Sequence, residues 1–297
     1  MYSTKTAENP AGNPIGVFDS GVGGLSVLRE IRRELPAEDL LYVADSGHAP
    51  YGDKSAQLIE ARAIAIVEFL LSQHAKTIVV ACNTATGVAI ETLRARFPVP
   101  IVAMEPAVKP AVTHTKSGVI GVLATSRTIA SDNFAKLHDR FGADVKILMQ
   151  ACPGLVEQVE AGDLSGDKTR ALIEQYVLPL LAKKVDTIVL GCTHYPFLSP
   201  LIQEIAGPSV VIIDPSAAIA RELRRRLERI KQLSPEARAG TERFWTSAAP
   251  NKTKRIISQL WQVDVEVLGL PNGSPVQAAQ ACRGVLQHLS HSDAPTR

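Results

Sequence analysis

One segment occurs twice in this chain of 297 residues, and each copy ends in a cysteine followed by polar side chains. The copies read TIVVACNT at residues 77–84 and TIVLGCTH at residues 187–194, which gives Cys82 and Cys192 equivalent positions. Each β-branched run has the length of a buried strand, and the cysteine falls where such a strand would give way to a loop. The repeat therefore predicts two equivalent strands, each with a thiol at its carboxyl end.

A second repeat extends the first into a larger pattern. The segment IGVFDS at residues 15–20 is echoed by IGVLAT at residues 120–125, and each precedes its cysteine segment by a similar distance. Two repeated segments in the same order indicate two related halves, with a boundary near residues 105–116. At 297 residues and 45% hydrophobic content, the chain has room for two cores of about 100–150 residues each.

Short apolar runs alternate with helical patterns along most of the chain. Buried parallel strands have continuous apolar runs, so this alternation predicts an α/β fold with mostly parallel sheets. Ligands of such sheets bind beyond the carboxyl ends of the strands, so we expect the site in the cleft between the halves. The predicted strands span residues 15–18, 40–44, 77–81, 100–104, 119–124, 145–149, 187–191 and 210–213, with weaker candidates at 243–246 and 265–270, and the helical patterns span residues 55–73, 166–183 and 215–233.

Charge and cysteine content argue against several classes of protein. The net charge of +2, from 32 basic and 30 acidic residues, is too balanced for a nucleic-acid footprint. No apolar run reaches the roughly 18 residues needed to span a bilayer, and residues 1–13 lack the blocks of a signal peptide, so a cytoplasmic location is expected. The four cysteines contain no C-x-x-C pair, which argues against a disulfide framework or a zinc site. By residue type alone, Cys152 and Cys282 are expected to be inert core residues.

Polar side chains directly follow the other two cysteines. They are Asn83 and Thr84 after Cys82, and Thr193 and His194 after Cys192. Such donors can hold a carboxylate beside a proton-transfer group. Two thiols on opposite sides of a small molecule can remove a proton from one face and return one to the other, which is the chemistry of a racemase without a cofactor.

Two alternatives use the same residues differently. A nucleophilic Cys192 or Cys82 with His194 as its base would suit a hydrolase or amidase, but it leaves the second cysteine unexplained. A metal site of these three residues lacks the paired-ligand spacing of common zinc sites. Proton transfer by both thiols accounts for the repeat best.

Two glycine-containing loops supply further candidate residues. The segment DSGVGG at residues 19–24 turns from a strand into a helix, where its N–H groups can approach a small carboxylate. Asp19 is either a turn residue or a partner of a thiol or of a substrate ammonium group. In the second loop, DSGHAPYG at residues 45–52, Tyr51 and Gly52 offer a hydroxyl and an N–H to a carboxylate. Glu160 is by default an exposed carboxylate on a helix.

Taken in order, these motifs closely resemble those of glutamate racemases over about residues 14–285. The matching segments are DSGVGG at 19–24, DS at 45–46 with PYG at 50–52, ACNTAT at 81–86 and GCTHYP at 191–196. The resemblance implies a pyridoxal-independent enzyme without cofactor or metal that interconverts L- and D-glutamate, with D-glutamate destined for bacterial peptidoglycan. It also implies a homodimer, and some members of the family interact with DNA gyrase. A racemase of another small acidic substrate, such as aspartate, is the alternative.

The resemblance further implies a domain arrangement and a set of site residues. Two pseudo-symmetric α/β domains are expected, the first made of residues 14–106 and 213–286 and the second of residues 107–212, with flexible tails at 1–13 and 287–297. By the same resemblance, Cys82 deprotonates D-glutamate and Cys192 deprotonates L-glutamate. The implied catalytic residues are Cys82, Cys192, Asp19, His194 and Glu160, and the implied substrate-binding residues are Asp19, Ser20, Tyr51, Gly52, Asn83, Thr84, Thr193 and His194.

Overall fold

Two parallel β-sheets flanked by helices make up the part of the chain that this computed structural model describes, residues 10–132, 135–136, 141, 145–235 and 237–271. The strands are β1 (Ile15–Asp19), β2 (Leu40–Ala44), β3 (Thr77–Val80), β4 (Ile101–Ala103), β5 (Val119–Ala124), β6 (Lys146–Ala151), β7 (Thr187–Leu190), β8 (Val211–Ile213), β9 (Glu242–Thr246) and β10 (Val267–Gly269). Within the described residues, the first sheet has the order β10-β9-β2-β1-β3-β4 and the second the order β6-β5-β7-β8. The predicted α/β fold with parallel sheets is confirmed.

Helices connect successive strands and bury their apolar faces against the sheets. They are α1 (Leu25–Glu34), α2 (Ala56–Ser72), α3 (Asn83–Arg96), α4 (Val108–His114), α5 (Ser126–Ile129), α6 (Leu155–Ala161), α7 (Asp167–Leu181), α8 (Ser199–Ala206), α9 (Ser216–Arg229) and α10 (Pro250–Trp261). In the described part of the chain, none of them is long and apolar enough to cross a membrane. One apolar core runs through both halves, since Val22 and Leu25 of the first belong to the same buried cluster as Cys192 and Tyr195 of the second.

The strand register reproduces the sequence repeat. In the first sheet Ile15 of β1 lies opposite Thr77 of β3, and in the second sheet Ile120 of β5 lies opposite Thr187 of β7. The two repeated pairs are thus aligned in the same way in both sheets. Because β3 ends at Val80 and β7 at Leu190, both cysteine segments leave their sheets at equivalent points.

The domain boundaries stay a prediction, and the structure differs from them in detail. Ile213, assigned by the prediction to the first domain, pairs with Val189 in the second sheet. The weaker strand candidates are present as β9 and β10 and extend the first sheet beside β2. Residues 272–286 and the tail 287–297 lie outside the described residues.

Residues 10–12, which the prediction placed in a flexible tail, are ordered, whereas residues 1–9 lie outside the described residues. Pro10–Gly12 forms a single 3₁₀ turn, and the Ala11 carbonyl accepts a hydrogen bond of 2.6 Å from the Lys76 ammonium. That ammonium also lies 2.6 Å from a Glu38 carboxylate oxygen in a pair whose side chains are 1% and 2% exposed. A buried cation needs several acceptors, and one of them is this carbonyl, so the segment is ordered.

Asp186, directly before β7, binds the segment that leads into β5. Burial by itself would raise the pKa of its carboxyl, but hydrogen bonds from the Thr115 hydroxyl and from the N–H groups of Ser117 and Lys116 outweigh burial and lower this pKa to about 2. The unfolded value is about 3.9. The carboxylate therefore stabilises the fold above about pH 4, and this stabilisation is lost as the pH falls toward 2.

We expect Asp186→Asn to lower the free energy of unfolding at neutral pH and to flatten its fall between about pH 4 and 2. Urea unfolding across this range measures both effects. Asp264→Asn is the control, because that side chain is 82% exposed and its removal should change stability little. An Asp186→Asn protein with the wild-type pH dependence would contradict the assignment.

Candidate active site

Cys82 lies at the start of α3 and caps it. Its sulfur accepts a hydrogen bond of 3.4 Å from the Ala85 N–H, and its thiol donates to the Ser20 hydroxyl oxygen at 3.7 Å. Burial is the main reason that the pKa of this thiol is raised, and negative charges on Asp19 and Cys192 raise it further. Ser20 in turn donates to Asp19, which also accepts from Thr193 beside Cys192, so hydrogen bonds join the surroundings of the two repeated thiols.

Cys192 follows the equivalent strand, but its surroundings are different. Its sulfur lies 3.7 Å from Nδ1 of His194, and Nε2 of the same ring lies 2.8 Å from Oε1 of Glu160. Burial alone would lower the pKa of His194, yet its hydrogen bonds with Cys192 and Glu160 outweigh burial and raise this pKa well above the ordinary value. A histidine cation therefore lies between one thiol and a carboxylate.

Asp19, the last residue of β1, is buried and hydrogen-bonded to a neighbour of each thiol. Its Oδ2 accepts the Gly24 N–H at 2.8 Å, and its Oδ1 accepts from the hydroxyls of Ser20 and Thr193, each at 3.4 Å. The pKa of the carboxyl is raised because burial outweighs the opposing effects of His194 and Gly24. Asp19 thus links the neighbour of one thiol, Ser20, to the neighbour of the other, Thr193.

Asn83 is the clearest sign of a binding site beside the thiols. The residue is 5% exposed, and neither Oδ1 nor Nδ2 has a hydrogen-bond partner among the residues described. Buried amide groups are nearly always paired, because an unpaired one costs about 1–3 kcal/mol. An amide with both atoms unpaired next to Cys82 is therefore arranged to bind a polar ligand.

A cluster of three threonine hydroxyls adjoins Asn83. Oγ1 of Thr84 lies 3.0 Å from that of Thr125 and 3.2 Å from that of Thr128, and the latter two are 2.9 Å apart. Sequence reasoning missed Thr125 and Thr128, which come from the second half. The repeat contained a signal for one of them, since Thr125 occupies the position in IGVLAT that Ser20 occupies in IGVFDS.

The Tyr51 hydroxyl is not available in the way the sequence suggested. It donates to Oδ2 of the buried Asp45 at 2.6 Å, and Arg62 pairs with both oxygens of the same carboxylate. The hydroxyl that was expected to donate to a substrate carboxylate therefore donates to a carboxylate of the protein. Gly52 lies at a contact between the halves, because a Cβ at this position would be 3.2 Å from Cβ of Thr125.

The glycine-rich loop also has a role that the sequence did not reveal. We expected its N–H groups to approach a small carboxylate, but the Val22 N–H donates to Oε1 of Glu160 at 2.6 Å. A Cβ at Gly23 would lie 2.3 Å from Nδ1 of His194. The glycines leave room for side chains of the other half, and a protein carboxylate occupies the anion-binding position.

An open cleft of about 350 Å³ lies on the outer side of Glu160. Val22, Ser46 and Lys252 are among the residues that line it, whereas neither Cys82 nor Cys192 does. The two thiols are instead enclosed, at 4% and 6% exposure. The described residues contain no cluster of three or more histidine, cysteine or acidic side chains suited to a metal ion.

Cys152 has hydrogen-bond partners of its own. Cys152 is buried, and its thiol donates to the Gln150 carbonyl at 3.3 Å. Burial is the largest reason that the pKa of its thiol is raised. Cys282 lies outside the described residues.

Several known proteins are similar to this chain in sequence and in fold. A family model described as Asp/Glu/Hydantoin racemase matches residues 15–223. The glutamate racemase of Pseudomonas aeruginosa strain PAO1 is 56% identical over 248 residues, which is 83% of this chain and 93% of the relative.

Solved structures agree with the sequence comparison. A glutamate racemase from Bacillus anthracis has a TM-score of 0.79 at 34% identity, over 87% of this chain and 97% of that one. The Escherichia coli glutamate racemase, solved with L-glutamate and the activator UDP-MurNAc-ala, has a TM-score of 0.76 at 34% identity, over 86% of this chain and 97% of that one.

Proposed function

Because this chain belongs to the Asp/Glu/hydantoin racemase family, and within it to the glutamate racemases, we propose that Cys82 and Cys192 are the two proton-transfer groups of its reaction. One observation carries this proposal. Both thiols follow equivalent strands of two equivalent sheets, and a hydrogen-bonded path through Ser20, Asp19 and Thr193 joins their surroundings. A two-base exchange at the α-carbon of glutamate needs an acid and a base on opposite faces of the substrate.

The surroundings of the two thiols suit opposite roles. Burial raises the pKa of Cys82 and so favours its neutral form before L-glutamate reacts, whereas the His194 ring, 3.7 Å from the Cys192 sulfur, can stabilise negative charge there. From L-glutamate, the Cys192 thiolate removes the α-proton and becomes a thiol. The Cys82 thiol protonates the opposite face and becomes a thiolate, which yields D-glutamate. The reverse reaction starts with the Cys82 thiolate and returns both protons.

The α-carbanion has no electron sink without a cofactor, so the site must stabilise its charge. The unpaired amide of Asn83 is available for the substrate carboxylate nearest the reacting carbon. Thr84, which follows Asn83, and Thr193, which follows Cys192, offer hydroxyls to the same carboxylate. Asp19 assists the Cys82 side through Ser20, whose hydroxyl lies between them. Glu160 assists the Cys192 side through His194.

The remaining predicted site residues take indirect roles. Gly52 offers its backbone to the substrate, and Tyr51 shapes the same loop through its bond to Asp45. Since both sulfurs are enclosed, a dicarboxylate can reach them only after the surrounding loops move apart.

We expect racemisation of L-glutamate in heavy water to give D-glutamate with solvent deuterium at the α-carbon in nearly every product molecule, because the proton delivered comes from a thiol that exchanges with solvent. Mass spectrometry of the separated enantiomers measures this incorporation. Product that keeps the original hydrogen would contradict the two-base assignment. The same assay on aspartate tests the alternative substrate, for which we expect far slower turnover.

The wider role follows from the product. We propose that the enzyme acts in the cytoplasm as a homodimer and supplies D-glutamate for bacterial peptidoglycan. Growth of a strain lacking the gene should then depend on added D-glutamate. An additional role at DNA gyrase stays a prediction from the family resemblance, and inhibition of gyrase by a protein without either thiol would support it.

A further inference from the structure

The Glu160 carboxylate, on α6 of the second half, is bound by two loops of the first half. Its Oε1 accepts the Val22 N–H at 2.6 Å and lies 2.8 Å from Nε2 of His194. Its other oxygen, Oε2, accepts the hydroxyl of Ser46 at 3.1 Å. Val22 follows β1 and Ser46 follows β2, so this one carboxylate connects the ends of two strands of the first sheet to the histidine beside Cys192.

We propose that Ser46 is a positioning residue for proton transfer at Cys192, and that it acts by holding the Glu160 carboxylate in the orientation that directs His194 toward the sulfur. The proposal rests on the proposed role of Cys192. No hydrogen bond joins Ser46 to either thiol, and its effect passes through Glu160 and His194.

The orientation of this carboxylate needs a constraint on each oxygen. The terminal torsion of a glutamate side chain is broad and roughly two-fold, so a bond to Oε1 alone leaves the plane of the carboxylate free to turn. The Glu160 side chain is 19% exposed and borders the open cleft, where water competes for its oxygens. The Ser46 hydroxyl binds the oxygen that neither Val22 nor His194 holds.

The position of His194 depends in turn on that carboxylate. Its ring is almost fully buried, and burial disfavours the cation unless acceptors compensate. A carboxylate that turns away from Nε2 weakens this compensation and lets the ring shift from its position 3.7 Å from the sulfur. The stabilisation of negative charge on Cys192 is then reduced, and its proton step is slowed.

Ser46 is connected to only one of the two thiols. Cys82 is bound by Ser20 and by the Ala85 N–H, and no hydrogen bond joins either group to Ser46 or Glu160. Loss of the Ser46 hydroxyl should therefore slow proton transfer at Cys192 selectively. Substrate isotope effects can detect this selectivity, because removal of the α-hydrogen uses Cys192 for L-glutamate and Cys82 for D-glutamate.

We expect Ser46→Ala to lower kcat/KM about tenfold, the loss that one hydrogen bond to a charged group carries. Because the equilibrium constant of racemisation is one, this loss is equal in both directions. The isotope effects differ, however. The α-deuterium effect on kcat/KM should rise for L-glutamate, whose abstraction step is slowed, and should fall for D-glutamate, whose abstraction step becomes less limiting.

Two variants control this experiment. Ser46→Thr keeps a hydroxyl and should restore the wild-type rate and isotope effects. Ser247→Ala removes the hydroxyl that accepts the Gly47 N–H at 3.0 Å, so it loosens the same loop without touching Glu160, and it should leave the isotope effects unchanged.

Three outcomes would overturn the proposal: wild-type kcat/KM in Ser46→Ala, equal changes of the two isotope effects, or the same asymmetry in Ser247→Ala. Failure of the underlying two-thiol function is recognised separately, since the wild-type enzyme would then not incorporate solvent deuterium. Solvent incorporation by the wild type together with a symmetric Ser46→Ala result would reject the role of Ser46 alone.

Discussion

Single replacement of Cys82 or Cys192 with alanine is expected to lower the rate of racemisation at least about 10³-fold, within the range that general acid–base groups contribute. Each turnover needs one thiol to remove a proton and the other to deliver one, so neither can substitute for its partner. Chiral chromatography of both reaction directions measures the loss. Racemisation close to the wild-type rate in either variant would contradict the mechanism.

The remaining thiol should reveal which enantiomer it serves. Cys82→Ala retains Cys192, so any residual exchange of the α-hydrogen with heavy water should be confined to L-glutamate. Cys192→Ala should show the opposite preference. Cys152→Ala is the matched control, because Cys152 is an equally buried thiol whose donor bond goes to a backbone carbonyl, and it should retain most of the activity.

Gly23→Ala is expected to lower kcat about 100-fold, the cost of moving a reacting group by about 1 Å. The added Cβ would lie 2.3 Å from Nδ1 and 2.6 Å from Cγ of His194. His194 is 1% exposed and cannot move into solvent, so its ring and the loop at Gly23 must shift relative to each other, which disturbs the position of Nδ1 beside the Cys192 sulfur. The expected signature is a large loss of activity in a folded protein, measured by steady-state kinetics and circular dichroism.

Gly12→Ala controls for the removal of a glycine, because a Cβ there would meet nothing within 4 Å. It should keep full activity. A Gly23→Ala enzyme as active as Gly12→Ala would mean that His194 does not need its position beside the sulfur. The proposed role of Ser46 would then fail as well, because Ser46 acts by keeping His194 in that position.

Much of the fold could be predicted because buried parallel strands have short, continuous apolar runs in the sequence. Each predicted strand has its counterpart among β1–β10, and the repeats anticipated the equivalent register of β1 with β3 and of β5 with β7. The order of residues 10–12 was not visible, because the partner of the Ala11 carbonyl is the ammonium of Lys76, which is distant in the chain.

The candidate site was predictable only in part. Thr193 and His194 adjoin Cys192 in the chain, so their presence beside a thiol follows from covalent proximity. The Tyr51 hydroxyl was expected to offer a donor to a carboxylate, and nothing in its own loop shows that it donates to Asp45, which Arg62 also binds. Ser46 lay in the matching DS segment at residues 45–46, but it was not among the predicted site residues.

The sequence by itself determined that two equivalent strands end in thiols flanked by polar groups, because strand length, apolar pattern and neighbouring residues are local properties of the chain. Only the tertiary structure decided how the thiols differ. Cys82 caps a helix in a buried setting near Asp19, whereas Cys192 lies beside a histidine held by Glu160 and, through it, by Ser46. These partners come from separate strand ends, and hydrogen bonding and burial can distinguish two matching thiols only after folding brings those ends together.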